Sequence, residues 1–486
     1  MLRTLRREKA ASRPVKIIQF GEGNFLRAFV DWQIDILNER KGLDAGVVVV
    51  RPKTRSEMPL LDTQDGLYTT LLRGIDEAGE PVRQFRKITC VQHEIDLEFA
   101  FDEFLALAHN PDVRFIFSNT TEAGIAVNDA DRFDDRPPAT FPGKMTRLLY
   151  ERFKHFAGAP EKGVFLLPCE LIDHNGKALK AAVRHFAELW ALDKSFLDWL
   201  DAHCTFCTTL VDRIVPGYPR DEIAAIETEL GYHDQFLVTA EYFHLFVIEG
   251  PAFVGEELKL ADSGLNVRIV DDATPYKKRK VGILNGGHTT MVPVAILAGL
   301  KAVGEAVDDP DVGNFLLRAL NDEIIPVLPL PRDQLNAFAA DVLRRFRNPF
   351  IYHRLESIAL NSWSKYEARV LPQLIAYTDK FGTLPARLVT ALAATMVLYR
   401  GGKITLQDDE ATLTWFADAW KRVDTGEWQL ADLVKTWLAN GDVWKGRDLN
   451  TIPHLTNAVM ASIARIQANG IRSELQAIAG KAPAAV

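Results

Sequence analysis

Cysteine is scarce: Cys90, Cys169, Cys204 and Cys207 are the four in a chain of 486 residues. Cys204 and Cys207 form a CxxC, but no second CxxC and no histidine pair at zinc-finger spacing accompanies it. Buried free thiols are therefore expected, not a metal or redox centre. Long apolar runs are missing too. No stretch is long enough to cross a bilayer, and the basic opening MLRTLRREKAASRPVK has no apolar core of the signal-peptide kind. A surplus of positive charge is absent as well. Fifty-seven Lys and Arg against 65 Asp and Glu give a formal net charge of −8, which argues against a general nucleic-acid or anionic-membrane binder. An anionic substrate remains open, provided its cations are local. There is no internal repeat, and low complexity is confined to the Ala-rich tail GKAPAAV. The expectation is a cytoplasmic protein without nucleic-acid or membrane partners.

What is present is an ordered alternation. VKIIQF (15–20), VVVV (47–50), VRFIFS (113–118) and VFLLP (164–168) read as buried strands, with helical patterns at 24–40 and 97–110 between some of them. Such alternation implies a parallel sheet covered on both faces. TTLVDRIVPG (208–217) and FLVTAEYFHLFVIEG (236–250) read as later strands or an edge hairpin, and NVRIVDD (266–272) as one more short strand. Beyond about residue 275 the apolar spacing becomes three and four, the mark of amphipathic helices. The fold class is thus α/β, with a Rossmann-like domain expected over residues 1–250 and a mainly helical domain over 251–486, the character changing near 245–275. Ligands of such proteins usually bind in a cleft between domains.

The first strand runs into GEGNFLRAF (21–29). A strand, a glycine turn and a helix in that order suit a dinucleotide. Gly21 allows the tight turn, Gly23 lets the backbone approach a pyrophosphate, and the helix N-terminus faces the anion. The fit is imperfect, because Phe25 and Leu26 stand where a third glycine is common. Cofactor contacts are expected from Ile18, Gln19, Phe20, Gly21, Glu22, Gly23, Asn24, Phe25 and Arg27. The second strand ends in RPKTR with no acid at its tip. Arg51 there suits either the 2′-phosphate of NADP or stacking on adenine, which leaves NAD versus NADP open.

The second segment of interest is KKRKVGILNGGHTT (277–290). On a helix, Asn285 and His288 lie one turn apart on neighbouring faces, and Lys280 fits best at the helix start. Gly286 and Gly287 cost ~1 kcal/mol each in helix stability, and leave room for a ligand or another backbone. The set makes sense for an alcohol carbon being oxidised, or its ketone reduced. A desolvated lysine beside other cations accepts the hydroxyl proton near neutral pH. Asn285 donates to the developing alkoxide, and His288 donates to the substrate oxygen or orients the lysine. The plainer alternative is a solvated KKRK helix start, with Asn285 and His288 satisfying each other in the core.

The spacing Lys280-x4-Asn285-x2-His288 resembles the catalytic signature of the polyol-specific long-chain dehydrogenases, the mannitol dehydrogenase family. IIQFGEGNFLRAFVDWQID resembles the opening of the same family, and VVVVRP, TQDGLYTT, FSNTTEAGI, PCELIDHNG, TLVDRIVPGYPRDE and LPARL extend the likeness over essentially the whole chain. The resemblance implies a two-domain monomer that interconverts a sugar-derived alcohol and its ketone with NAD and without a metal. It implies Lys280 as general base, Asn285 as oxyanion donor and His288 as a positioning group. Glu122, Asp212 and Lys365 match family residues for proton relay or substrate contact.

Departures from the family pattern are informative. After Cys169 the mannitol-type Asn is replaced by Leu171, leaving Asn175 as the nearest amide. A family arginine position holds Ser357, with Arg354 close by. A family glutamate three residues before the base is Lys277 here. That reversal disfavours a neutral polyol and favours a substrate carboxylate, so a sugar acid is the expected ligand.

Overall fold

The computed structural model describes residues 2–8, 13–53, 58–121 and 123–480. The chain divides into two compact units: Met1–Arg73 with Val82–Ala273, and Gly74–Pro81 with Thr274–Val486. The division therefore lies beyond the expected residue 250. Its cause is the strand Val267–Val270, which pairs in parallel with Leu245–Glu249 and so belongs to the first unit.

In the first unit the β-branched runs become a six-stranded parallel sheet. Its strands are β1 (Val15–Phe20), β2 (Gly46–Arg51), β3 (Val91–Asp96), β4 (Phe115–Ser118), β5 (Phe165–Pro168) and β6 (Thr205–Phe206). Their spatial order is β3-β2-β1-β4-β5-β6, the order of a dinucleotide-binding sheet. Side chains alternate across it, and both faces are buried. Ile17, Val47, Val49, Phe115 and Phe117 enter one core. Ile18, Phe20, Val48, Val50 and Ile116 enter the other.

Smaller sheets complete this unit, among them the short parallel pair of Arg3–Thr4 with Tyr232–His233. Thr208–Asp212 pairs antiparallel with Leu245–Glu249, and Tyr68–Ile75 lies between Val238–Glu241 and Pro81–Ile88. The stretch 236–250 is therefore two strands in two different sheets, not a hairpin. All four cysteines are buried free thiols, and burial pushes Cys204 and Cys207 up to about 12.

The second unit is helical. A continuous helical segment runs from Thr274 to Leu297 and ends in α1 (Gly286–Leu297). Beside it lie α2 (Ser362–Arg369), α3 (Ala386–Leu398) and α4 (Leu455–Ala479). Leu388, Val389, Leu392, Ala393, Met396 and Leu398 are all buried. A helix apolar on every side belongs at the centre, and α3 packs against both α1 and α4.

Candidate active site

The glycine turn follows β1 directly. Gly21 has φ +119°, and a Cβ there would stand 3.2 Å from the Asn119 carbonyl and 3.3 Å from Leu26 Cδ1. Only glycine suits this position. Gly23 is different: it is exposed, and a Cβ there would meet no atom within 4 Å. The helix that follows runs Asn24–Leu26, widens into a π turn over Arg27–Asp31, and continues as Trp32–Lys41. An exposed turn at a helix start on the first strand of this sheet fits a dinucleotide's pyrophosphate, and Gly23 and Asn24 are its open residues.

The other expected contact residues brace that turn from inside. Arg27 is buried and donates from Nε to the Glu22 carbonyl (3.1 Å), from Nη2 to Asn24 Oδ1 (2.7 Å) and from Nη1 to the Phe236 carbonyl (2.5 Å). Gln19 donates to the Gly21 carbonyl (3.2 Å) and to Asp31 Oδ2 (3.4 Å). Asp31 also accepts from the Tyr68 hydroxyl at 2.7 Å. Burial raises the Asp31 carboxyl to about 7, against the pull of those two donors. Ile18 and Phe20 point into a core, Phe25 stacks on Phe29 with centroids 4.9 Å apart, and Glu22 is 9% exposed. Side-chain recognition of a cofactor by Ile18, Gln19, Phe20 or Arg27 is thus replaced by support of the backbone that would bind it.

Two expectations need correction. Arg51 does not present its guanidinium to a phosphate or a base. Nε pairs with Glu94 at 2.8 Å, with side-chain exposures of 3% and 0%, and the two Nη atoms donate to the Met58 (2.8 Å) and Pro59 (3.0 Å) carbonyls. Asn175 does not compensate for Leu171. Its amide nitrogen donates to the carbonyls of Pro168 (2.9 Å) and Glu170 (3.0 Å), and its oxygen accepts from the Thr209 and Gly176 N–H groups. Asn175 is fully buried, so its hydrogen-bonding capacity is spent on the loop after β5. Asp212, also buried, ends the strand Thr208–Asp212 in the same unit. Glu122 lies outside the described residues.

In the second unit Lys277, Lys280, Asn285 and His288 stand on one helical segment. It begins at Thr274, so Lys280 follows a full helical turn and does not start the helix. Lys280–Asn285 is a π turn: the Gly286 N–H reaches the Val281 carbonyl, five residues back. Such widened turns concentrate at functional sites. Here the turn changes the angular offset of Lys280 from Asn285 relative to an ordinary helix.

The glycines admit protein. A Cβ on Gly286 would stand 3.1 Å from the Arg369 carbonyl, and one on Gly282 would stand 2.9 Å from Gln373 Nε2. Gly287 meets only ordinary contacts at 3.5 and 3.6 Å.

His288 stacks on Phe346 with centroids 4.0 Å apart, and meets His353 edge-on at 5.3 Å. The residue keeps some surface, yet its Nε2 is shielded and has no hydrogen-bond partner among the described residues. Burial holds the imidazole well below its usual value, and the neighbouring His353, Arg345, Arg369 and Lys365 push the same way. The ring is neutral at physiological pH. Lys365 donates to the Ile358 carbonyl at 2.9 Å, and burial together with Arg369 lowers its pKa. Arg369, Gln373 and His353 were not anticipated from sequence. The available signal was Arg369 one helical turn after Lys365 on the same helix.

Residues 15–262 match the mannitol dehydrogenase Rossmann domain, and residues 272–467 match the mannitol dehydrogenase C-terminal domain. The chain belongs to the mannitol dehydrogenase family. It is therefore a dehydrogenase acting on a CH–OH group. Altronate oxidoreductase of Yersinia enterocolitica is 55% identical over 470 residues, covering 96% of this chain and 97% of that one. Altronate oxidoreductase of Pectobacterium atrosepticum is 53% identical over 486 residues, covering 98% and 99%. Mannitol 2-dehydrogenase of Pseudomonas fluorescens, solved as a ternary complex with NAD and D-mannitol, shares the fold with a TM-score of 0.67 at 23% identity, covering 99% of this chain and 97% of that one. Substrate-free D-sorbitol dehydrogenase aligns with a TM-score of 0.77 at 21% identity, covering 97% and 100%.

Proposed function

We propose that this dehydrogenase interconverts D-altronate and D-tagaturonate with NAD. The observation that carries the reading is the cationic setting of a neutral imidazole. His288, three residues after Asn285 and on the same helical segment as Lys280, feels the positive charges of Arg345, Arg369 and Lys365. A neutral polyol has no use for such a field, whereas a sugar acid does. Two relatives of more than 50% identity that carry the name altronate oxidoreductase support the same substrate class.

In this reading Lys280 takes the carbinol proton during oxidation and returns it during reduction. Asn285 donates its amide N–H to the oxygen as negative charge develops there. His288, uncharged, supplies a hydrogen bond that fixes the substrate without adding a second positive charge to the oxyanion. Lys277 adds a cation on the same helical segment for the carboxylate. The dinucleotide, when bound, accepts or supplies the hydride; Gly23, Asn24 and the backbone braced by Gln19 and Arg27 would hold its pyrophosphate. NAD is favoured over NADP because Arg51, the residue that suited a 2′-phosphate, is committed to Glu94.

The test is oxidation of NADH and NADPH, side by side, with D-tagaturonate and D-fructuronate. Faster turnover with NADH and D-tagaturonate is expected. Preference for D-fructuronate would reassign the enzyme to D-mannonate, and consumption of neither acid would refute the reading.

A further inference from the structure

Five buried arginines in this protein are tied down by hydrogen bonds, while buried Arg279 lies over the Tyr276 and Phe338 rings. Arg27, Arg51, Arg152, Arg213 and Arg387 each direct their guanidinium to carbonyls or carboxylates. Arg369 departs from that pattern. It is half-buried at the end of α2, and burial lowers its pKa. Among the described residues, no hydrogen bond or ion pair engages its guanidinium. Desolvating a cation without a counter-charge is costly. A fold keeps such a group where something outside the chain supplies the missing charge.

Its position says what that partner is. The Arg369 carbonyl is the atom that Gly286 makes room for, 3.1 Å from where a Cβ would stand. The Arg369 main chain is therefore held against the turn immediately after Asn285. Its charge is felt at His288 and at Lys365, which precedes it by one helical turn. Lys365 already spends one donor on the Ile358 carbonyl, and as an ammonium it offers a point charge. A guanidinium offers two parallel N–H donors, which match the two oxygens of a carboxylate.

We infer that Arg369 is the anchor for the carboxylate of the sugar-acid substrate, gripping it as a fork beside Asn285 and His288. Gly286 is then required because it lets α2 bring Arg369 to the catalytic helix. This assignment rests on the sugar-acid reading of the site, and it names a residue that, with Lys277, distinguishes the acid from its neutral counterpart.

The test compares wild type with Arg369→Gln and Arg369→Lys, using NADH with D-tagaturonate and with the neutral ketose D-tagatose. For Arg369→Gln the KM for D-tagaturonate should rise about 10- to 100-fold, while the parameters for D-tagatose and the affinity for NADH stay within about twofold of wild type. Arg369→Lys should fall between, since it keeps the charge and loses the fork. Equal losses on acid and neutral ketose, or an unchanged KM for the acid, would overturn the assignment.

Calorimetry with D-gluconate, a six-carbon sugar acid, separates this inference from the identity of the reaction. Wild type should bind it, and Arg369→Gln should bind it about tenfold more weakly. If wild type reduces neither hexuronate but binds gluconate through Arg369, the proposed reaction fails and the anchor stands. If wild type binds no gluconate, the anchor fails.

Discussion

The glycine turn of the first unit and the Lys-Asn-His segment of the second use one device in opposite ways. In both, a helix widens into a π turn at the motif, over Arg27–Asp31 in one and Lys280–Asn285 in the other. Around the first, polar side chains turn inward and brace the backbone: Arg27 on Glu22 and Asn24, Gln19 on Gly21, Tyr68 on Asp31. Around the second, glycines pull neighbouring elements close; among the described residues His288 Nε2 and Gln373 Oε1 have no hydrogen-bond partner, as Gln19 Oε1 and Asp31 Oδ1 have none around the first. The first arrangement presents main chain, which suits a phosphate group shared by many enzymes. The second presents side chains, which suits one substrate's stereochemistry and charge.

The comparison breaks first at Arg51. Replacing it with Met should cost about 3–5 kcal/mol, because buried Glu94 loses its counter-charge, and should leave any preference between NADH and NADPH unchanged. Chemical denaturation and a two-cofactor assay read both. A large gain in NADPH use with little loss of stability would return Arg51 to the ribose. Next come the paired glycines. Gly286→Ala must push the Arg369 main chain away and should cost about 1–3 kcal/mol, with a matching loss of activity on the acid. Gly287→Ala meets only ordinary contacts and should gain up to ~1 kcal/mol from helix propensity. Equal effects of the two substitutions would remove the argument for close approach at Gly286.

The smallest effect is a tilt with pH. The Asp31 carboxyl titrates at about 7 when folded, against 3.8 as the ordinary value. Its raised value means that its contribution to stability is fully present below about pH 4 and is lost as pH rises through about 7. Asp31→Asn cannot ionise. The difference in melting temperature, variant minus wild type, should therefore grow more positive from pH 5 to pH 7.5 and level off above. A difference independent of pH would mean that Asp31 ionises as it does in water.

Much of this was legible beforehand. VKIIQF and VVVV form the central strands because β-branched residues are buried on both faces of a parallel sheet, and the glycine turn follows from its place after the first strand. The pair Tyr68–Ile75 and Pro81–Ile88, and the strand Val91–Asp96, were not legible. PVRQFRKI and VQHEID carry charges on half-exposed strands and offer no apolar run. Arg51 was misread because its partner Glu94 is 43 residues away. Asn175 was misread for the same kind of reason: its partner Thr209 is 34 residues on. The π turns leave no mark in composition. Arg369 needed the fold, since only the fold brings α2 against Gly286.

The most direct measurement is on Lys280. In Lys280→Ala, NADH titration and single-turnover reduction of D-tagaturonate should show unchanged cofactor affinity and a rate lower by roughly 10²–10⁴-fold, partly restored by added small amines. A rate within tenfold of wild type, with no response to amines, would mean that the proton goes elsewhere and that the Lys-Asn-His segment serves only to hold its unit together.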